Sequence, residues 1–263
     1  MAMAQQANPS EKVIIIYEND PHSTLSGYPK LAGLKEKTLS ETPNILVVSG
    51  GDFSADFMPG TKLGNSSQGA GIIKIMNKIG YDYLVPGNHD FDFSVENMMK
   101  NFSNLDATAL CCNRKEIAGE TFLLPGYAVR SIGGIKVGFV GVANPKTISR
   151  QLMKYFADEE GNMLYSFCEE SLCEVVQQNV DKARSEGADY VIVLSHLGDR
   201  ANGSVTSLDL IAATQGIDVV LDAHAHSLIP EQRLANNEGK EVILSSTGLK
   251  FANIGLLPIN TDG

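Results

Sequence analysis

The sequence predicts an α/β protein in which two mixed β-sheets pack face to face and helices cover their outer faces. Three observations lead to this prediction. The chain of 263 residues is 43% hydrophobic, which is enough to bury a sizeable core. Short runs rich in Val and Ile alternate with longer amphipathic stretches along the chain. There are more than eight such runs, and this number favours two packed sheets over one.

The elements follow from this periodicity in chain order. Apolar runs predict strands over 13–19, 45–50, 83–86, 108–113, 190–195, 219–223, 242–246 and 253–259. The stretch 127–143 predicts a hairpin, because Gly133 and Gly134 accept the positive φ of a two-residue turn. The sheets are therefore expected to be mixed. Amphipathic periodicity predicts helices over 29–40, 70–78, 95–101, 165–184 and 208–213.

Charge and hydropathy argue against two classes of partner. The formal net charge is −10, and no cluster of Lys and Arg with interleaved aromatic residues offsets it. Such a chain repels a polyanion, so duplex nucleic acid is not expected to bind. No apolar run approaches the roughly 18 residues of a membrane-spanning helix. The longest apolar runs are 13–17 and 137–143, so no membrane span is expected.

The N-terminal residues 1–12 are expected to form a flexible segment ahead of the first strand. Within it, Ala2-Met3-Ala4 resembles the small-x-small end of a cleaved signal peptide. The pattern predicts an extracytoplasmic or periplasmic protein after removal of the signal. A cytoplasmic location is the alternative.

The four cysteines are expected to be free thiols. Cys111 and Cys112 are neighbours on a predicted strand, so their side chains point to opposite faces. Cys168 and Cys173 lie roughly 140° apart around a predicted helix. Neither pair is placed to form a disulfide, and no CxxC spacing indicates zinc.

The five histidines occupy one kind of position, since each follows the apolar part of a predicted strand. Two carboxylates and one amide share these positions. The full set is Asp20, His22, Asp52, Asn88, His89, His196, His224 and His226. Ligands bind beyond the carboxyl ends of strands in α/β sheets, so these turns should converge on one crevice. One strand-end histidine is typical of ordinary structure, but this set predicts a metal centre.

Histidine and aspartate without a thiolate form a ligand set that suits Zn, Mn, Fe or Co. A four-coordinate zinc needs only three protein ligands and a water, whereas all residues of this set except His89 make seven. Two divalent metal ions that share one bridging carboxylate match this number. Such a pair clamps the oxygens of a phosphoryl group, which explains how an acidic protein could bind an anionic phosphoester.

The order of these motifs resembles the calcineurin-like metallophosphoesterases. The motifs D-x-H at Asp20, G-D at Asp52, G-N-H-D at Asn88, H at His196 and H-x-H at His224 occur in the family's order. The segments GNHDFD and LSHLG resemble the N-terminal catalytic domain of 5′-nucleotidases. The match covers nearly the whole chain. It implies a four-layer αββα sandwich and a di-metal phosphoester hydrolase.

The resemblance also implies an assignment of ligands. The first metal would be held by Asp20, His22 and His226. The second would be held by Asn88, His196 and His224. Asp52 would bridge the two ions. The chain departs from the family pattern at Asp222-Ala223, where relatives usually have glycine before the H-x-H motif, and many nucleotidases have no histidine at the position of His226.

The stretch after Asn88 carries the residues implied to act on the substrate. His89 would protonate the leaving-group oxygen or donate to the transition-state oxygens, and Asp92 would orient its imidazole. Asp90 is expected to support a ligand or cap a helix. Three further residues could reach the substrate or be ordinary surface groups, namely Asn113, Asp199 and Arg200. Asp222 could support a ligand histidine or be a capping carboxylate.

Residues 13–263 are expected to form one catalytic domain. Related nucleotidases continue into a C-terminal specificity domain, which is expected here to be absent or supplied by a separate partner chain. The expected reaction is metal-dependent hydrolysis of a small phosphomonoester, with a nucleotide as substrate. The alternatives are a phosphodiesterase or 2′,3′-cyclic-nucleotide hydrolase with the same centre, and a metal-bearing binding or scaffold module without activity.

Overall fold

The computed structural model describes residues 12–54, 68–145, 155–200 and 204–261. The N-terminal residues with the Ala2-Met3-Ala4 pattern lie outside the described residues, so the structure does not test the signal-peptide prediction. Lys12 already belongs to the first strand.

The first sheet consists of β1 (Lys12–Glu18), β2 (Ile45–Ser49), β3 (Tyr83–Leu84), β4 (Thr108–Ala109) and β13 (Gly255–Asn260). Their order across the sheet is β13-β1-β2-β3-β4. Strands β1 to β4 are parallel, and β13 pairs with β1 in the antiparallel sense. The carboxyl ends of the four parallel strands therefore lie at one edge of the sheet.

The second sheet consists of β6 (Tyr127–Ile132), β7 (Ile135–Ala143), β9 (Tyr190–His196), β10 (Val219–Leu221), β11 (Leu228–Ala235) and β12 (Glu241–Thr247). Their order is β11-β12-β10-β9-β7-β6. The inner strands are parallel, and both edge strands are antiparallel to their neighbours. A small separate sheet joins β5 (Lys115–Glu116) to β8 (Tyr165–Ser166).

Within the described ranges, five α-helices cover the outer faces of the two sheets. They are α1 (Tyr28–Leu39), α2 (Ala70–Ile79), α3 (Val95–Ser103), α4 (Leu172–Ser185) and α5 (Ser207–Ala213). Helices α1 to α3 pack on the first sheet through one core, and α4 and α5 pack on the second sheet through another. The predicted four-layer αββα sandwich is confirmed.

A third core lies between the two sheets and explains why β1 is apolar on both faces. Val13 and Ile15 pack toward the second sheet, whereas Ile14 and Ile16 pack toward the helices. This division follows from the alternation of side chains along a strand. The ring of Tyr83 from the first sheet stacks on Phe139 from the second, with centroids 4.6 Å apart.

The hairpin prediction is confirmed, because β6 and β7 pair across Gly133 and Gly134, both of which have positive φ. The helix predicted over 165–184 is partly wrong, since α4 begins only at Leu172. Tyr165 instead belongs to β8, and Cys168 has φ of 49°, a left-handed conformation that interrupts a helix. The prediction placed the start of the helix too early, because residues 165–171 continue the amphipathic pattern of α4.

Other boundaries shift in smaller ways. The strand predicted over 108–113 is shorter in the structure, where only Thr108–Ala109 form β4. The edge strand β11 was not predicted, because most of its residues are exposed and polar and apolar residues do not alternate clearly along it. All four cysteines are free thiols. Cys111 packs between the sheets and Cys112 packs under α4, which confirms their opposite orientation. None of the helices in the described ranges has the length and apolarity to cross a membrane.

Candidate metal centre

The predicted site residues meet at the carboxyl ends of five strands, three from the first sheet and two from the second. Asp20 and His22 follow β1, Asp52 follows β2, and Asn88 follows β3. The second sheet contributes the remaining three, namely His196 at the end of β9 and His224 and His226 after β10. The site therefore lies where the two sheets open toward a common edge.

One cluster joins the first sheet to the second through Asp20, His22 and His226. The Nε2 atoms of the two histidines lie 3.2 Å apart. Oδ1 of Asp20 lies 3.7 Å from Nε2 of His22 and 3.5 Å from Nε2 of His226. Asp20 and His22 are buried, whereas the His226 side chain is 41% exposed. The cluster therefore has one face open to solvent.

Asn19 holds the carboxylate of Asp20 in this orientation. Its Nδ2 donates to Oδ2 of Asp20 at 2.7 Å, and the backbone N–H of His224 donates to the same oxygen at 3.0 Å. Oδ1 of Asp20 is buried and forms no hydrogen bond with any described residue. Oδ1 of Asn19 accepts from the backbone N–H and hydroxyl of Thr247. Asn19 thus links the end of β1 to the end of β12, a role that sequence reasoning missed although it immediately precedes Asp20.

Asp52 lies between the two sheets. Its Oδ2 is 3.6 Å from Nε2 of His22 and 3.3 Å from Nε2 of His196. Nδ1 of His196 donates to the carbonyl of Gly50 at 2.7 Å, which turns Nε2 toward Asp52. That Nε2 is buried and forms no hydrogen bond with the described residues. Like Asp20, Asp52 therefore faces histidines from both sheets.

Asn88 and His224 form the remaining pair. Oδ1 of Asn88 lies 3.0 Å from Nδ1 of His224. Burial, together with the charge of His196, lowers the pKa of His224 to about 4. The imidazole is therefore neutral near pH 7, the form in which histidine binds a metal.

Asp52 and His196 each stabilise the charged form of the other. Burial disfavours the charged imidazole of His196, but the charge and proximity of Asp52 outweigh it and raise the pKa of His196 to about 10. Burial likewise opposes ionisation of Asp52, yet the adjacent His196 brings its pKa below the usual range. The protein groups thus favour an ionised Asp52 at every physiological pH.

The residues present fit divalent metal ions. Two ligand atoms about 2.0–2.1 Å from one ion lie roughly 3–3.5 Å from each other, and the spacings among these side chains fall close to that range. Three groups of three side chains bring their ligand atoms within 4.8 Å of one another. Oδ1 of Asp20 is buried and accepts no hydrogen bond from the described residues, as expected of an atom that binds a cation.

The backbone at these residues is strained. Five of the seven predicted ligands have positive φ, with values of 51° for Asp20, 43° for His22, 56° for Asp52, 73° for His224 and 56° for His226. Such conformations cost free energy in non-glycine residues and concentrate at functional sites. Gly51, with φ of 92°, passes so close to Gly87 that a Cβ would lie 2.6 Å from its nitrogen.

His89 and Asp92 form the predicted pair beside this cluster. Nδ1 of His89 lies 2.9 Å from Oδ2 of Asp92, and its ring centroid is 5.0 Å from that of His22. The backbone N–H of His89 donates to Oδ1 of Asp52 at 2.8 Å. Burial opposes protonation of His89, but the hydrogen bond to Asp92 and the charge of Asp52 raise its pKa to about 9. A ring nitrogen of His89 also lies within 4.8 Å of ligand atoms of His22 and Asp52, so these three side chains form one of the three groups that could hold a metal ion.

Asp90 supports the site. Its Oδ2 accepts from the backbone N–H groups of Asp52 at 2.9 Å and Gly87 at 2.8 Å, and its Oδ1 accepts from that of Ser54. Asp222 accepts from the backbone N–H of Gly198 and from a serine hydroxyl, so its bonds go to the loop after His196 and to α5.

The three residues that were predicted either to reach the substrate or to be surface groups differ in their positions. The amide of Asn113 is buried and bonded to the carbonyls of Ala143 and Phe167, which makes it structural. Arg200 and Asp199 lie at the rim, where both bond to the hydroxyl of Ser227, next to His226.

The sequence profile of the calcineurin-like phosphoesterases matches residues 15–228, which is most of the chain. The chain belongs to the calcineurin-like phosphoesterases. This calcineurin-like phosphoesterase is 26% identical over 247 residues to the trifunctional nucleotide phosphoesterase protein YfkN of Bacillus subtilis, with 83% of this chain and 16% of YfkN covered. It is 25% identical over 271 residues to the 5′-nucleotidase of Rattus norvegicus, with 92% and 43% covered.

Among solved structures, this calcineurin-like phosphoesterase shares its fold with the 5′-nucleotidase precursor from Thermus thermophilus. The TM-score is 0.77 at 22% sequence identity, over 95% of this chain and 51% of that chain. The chain spans 16% of the length of YfkN and 43% of the rat protein, so the similarity concerns one part of each longer relative. The predicted resemblance to this family and to the nucleotidases is confirmed.

Proposed function

We propose that the chain is a di-metal phosphomonoesterase that acts on nucleotides. The observation that carries this proposal is the convergence of carboxylate, imidazole and amide ligand atoms from both sheets, with the His89–Asp92 pair beside them. Neither sheet alone supplies enough ligands for two ions. The names of the relatives support a nucleotide as the substrate class.

The ligands divide into two sets. Asp20, His22 and His226 would hold one ion. Asn88, His196 and His224 would hold the other. Asp52 would bridge them, because its Oδ2 lies between His22 and His196. The ions would be Zn, Mn, Fe or Co, all of which accept a ligand set of nitrogen and oxygen atoms.

Two bound divalent cations would supply the charge that attracts the phosphate and the acidity that activates a water molecule for attack on phosphorus. The residues of the chain would hold the ligands in place and set the charge of the site. Asn19 and Asp90 hold Asp20 and the Asp52 turn in place through the hydrogen bonds described above. Asn88 contributes a neutral amide, which keeps the site from becoming too negative for a phosphate.

His89 would donate a proton from Nε2 to the leaving-group oxygen. Asp92 accepts the hydrogen bond from Nδ1, which fixes the orientation of the imidazole ring and leaves Nε2–H as the proton donor. The side chain of His89 is 30% exposed, so a substrate can reach it. The hydrogen bond to Asp92 raises the pKa of His89 and so favours the protonated imidazole that a general acid needs.

Turnover of matched substrates tests the proposal. The purified chain, reconstituted with Mn or Zn, should hydrolyse nucleoside monophosphates faster than bis(nitrophenyl) phosphate and 2′,3′-cyclic nucleotides. Preference for the diesters would instead support the phosphodiesterase alternative. Metal binding without turnover of either class would indicate a binding or scaffold module. Elemental analysis should find two metals per chain, and saturation at one would contradict the binuclear centre.

Location and partners follow as further parts of the proposal. An extracytoplasmic location agrees with the Ala2-Met3-Ala4 pattern and with the word precursor in the name of the Thermus protein. A C-terminal domain or a partner chain would supply contacts to the nucleobase. Fractionation of the native host, with antibody detection, distinguishes an exported protein from a cytoplasmic one.

A further inference from the structure

Arg114 is a buried cation next to the candidate site. It follows β4, its side chain is almost fully buried, and it is the largest fully buried side chain of the described residues. Nη2 donates to the carbonyl of Asn144 at 3.0 Å, whereas Nε and Nη1 form no hydrogen bond with the described residues. Burial lowers the pKa of Arg114 to about 10. No carboxylate of the described residues pairs with this guanidinium. Burying an unpaired charge costs free energy, so stability alone does not explain an arginine here.

The guanidinium lies between aromatic rings. Its Cζ is 4.3 Å from the ring centroid of Phe91 and 4.7 Å from that of Phe167. Contacts of this length are attractive cation–π interactions, and they strengthen when the cation is removed from water. Phe91 is buried and belongs to the short 3-10 helix His89–Phe91, which is followed directly by Asp92. The guanidinium therefore packs against the turn that carries His89 and Asp92, the proposed general acid and its hydrogen-bond partner.

The other end of Arg114 contacts the second sheet. Asn144, which accepts its hydrogen bond, donates from Nδ2 to the carbonyl of Leu197 at 3.1 Å. Leu197 directly follows His196. The neighbouring Asn113 makes a parallel link, since its amide exchanges two hydrogen bonds with Ala143 at the end of β7. Arg114 thus connects the His89 turn to the strand end that carries His196.

We propose that Arg114 is a positioning residue, whose contacts with Phe91 and Asn144 fix the turn carrying His89 and Asp92 relative to the strand end carrying His196. The inference rests on the proposed function. A positioning role accounts for an arginine in place of an apolar residue, because groups that violate ordinary rules of burial concentrate at functional sites. A displacement of about 1 Å in catalytic geometry lowers rates by up to roughly 10²-fold.

The test compares kcat on an alkyl phosphate with kcat on nitrophenyl phosphate, because an easily departing group needs little protonation. Arg114→Met should lower kcat on the alkyl ester by roughly 10–100-fold and kcat on the nitrophenyl ester clearly less, with two metals still bound. Arg114→Lys should lie between Met and the wild type, since it keeps the cation but loses the planar stack.

Arg184→Met is the matched control. Arg184 also bonds to backbone carbonyls, but to those of Gly216, Ala188 and Asp189, which precede β10 and β9 at the opposite end of the second sheet. This variant should lower the unfolding temperature while leaving the ratio of the two kcat values unchanged. If Arg114→Met does not fold, Phe91→Leu replaces it, because it removes the ring beneath the guanidinium and should shift the ratio in the same direction.

His89→Asn, measured in parallel, separates the two possible failures. An ester-selective loss in His89→Asn without one in Arg114→Met, Arg114→Lys or Phe91→Leu overturns the inference alone. Equal losses on both esters in His89→Asn overturn the general-acid role and the inference with it. Loss of metal in Arg114→Met would show that Arg114 supports the metal ligands, which also contradicts the role stated here.

Discussion

Asp52 uses its two carboxylate oxygens for different partners. Oδ1 accepts the backbone N–H of His89, and Oδ2 faces His22 and His196. Asn88, by contrast, faces only His224 with its side-chain oxygen. At the scale of single residues, this difference supports the proposal that Asp52 is shared by two ions whereas Asn88 serves one.

Asp52→Asn should therefore weaken both metal sites together, because a bridging carboxylate offsets the repulsion between two cations. Asn88→Ala should weaken only one. Elemental analysis during titration with a chelator measures both variants. Loss of metal in the same pattern from the two variants would show that Asp52 does not bridge.

His89→Asn should keep the fold and both metals while lowering kcat on an alkyl phosphate by roughly 10²–10⁴-fold, the usual contribution of a positioned acid–base group. The loss on a nitrophenyl ester should be smaller. Asp92→Asn should show a weaker form of the same contrast, because it acts through the imidazole. Steady-state kinetics on the two esters measures the effect, and loss of metal in His89→Asn would identify His89 as a ligand.

At the scale of elements, the turns after β2 and β3 lie in direct contact. A Cβ on Gly87 would overlap the carboxylate of Asp52, and Asp90 bonds to the backbone of both turns. The two turns therefore act as one unit, in which a glycine of the G-N-H-D motif makes room for a ligand from the neighbouring strand.

Gly87→Ala should displace Asp52 and reduce metal content and activity together. Gly33→Ala is the matched control, because Gly33 lies exposed inside α1 and a Cβ there has no neighbour within 4 Å. It should raise the free energy of unfolding by about 0.5–1 kcal/mol with metal content unchanged. Elemental analysis and chemical denaturation measure the two variants. Full metal content in Gly87→Ala would contradict this account.

At the scale of the whole molecule, the site joins the two sheets. Asp20, His22, Asp52 and Asn88 come from the first, and His196, His224 and His226 come from the second. Protein contacts also cross at this end, including the hydrogen bond of 2.6 Å between Tyr17 and Ser245. Metal ions held by both sets would add a further link between the sheets.

Removal of metal should therefore lower the unfolding temperature, because a ligand that binds only the folded chain stabilises it. For a metal at a free concentration about 100 times its Kd, the change should be roughly 5–10 °C. Calorimetry with and without a chelator measures it, and Asp52→Asn should respond less than the wild type. An unchanged unfolding temperature in the wild type would mean that the folded chain holds no tightly bound metal.

The fold class and the set of residues at the strand ends could both be predicted from the sequence. Both depend on local runs of apolar residues, which form most of β1 and β9 and stop shortly before His22 and His196. Local signals failed at the start of α4, where the left-handed Cys168 breaks a stretch that is amphipathic in sequence.

The orientation of the site residues, by contrast, could not be predicted before the packing of the two sheets was known. The free oxygen of Asp20 depends on Asn19, which is held by Thr247, 228 residues away in the chain. The contact of Arg114 with Phe91 likewise joins two separate strand ends. Such contacts form when the two sheets pack, and they produce no repeating pattern of apolar residues along the sequence. The physical reason is that periodicity records which face of an element is buried, whereas orientation depends on distant partners that only packing brings together.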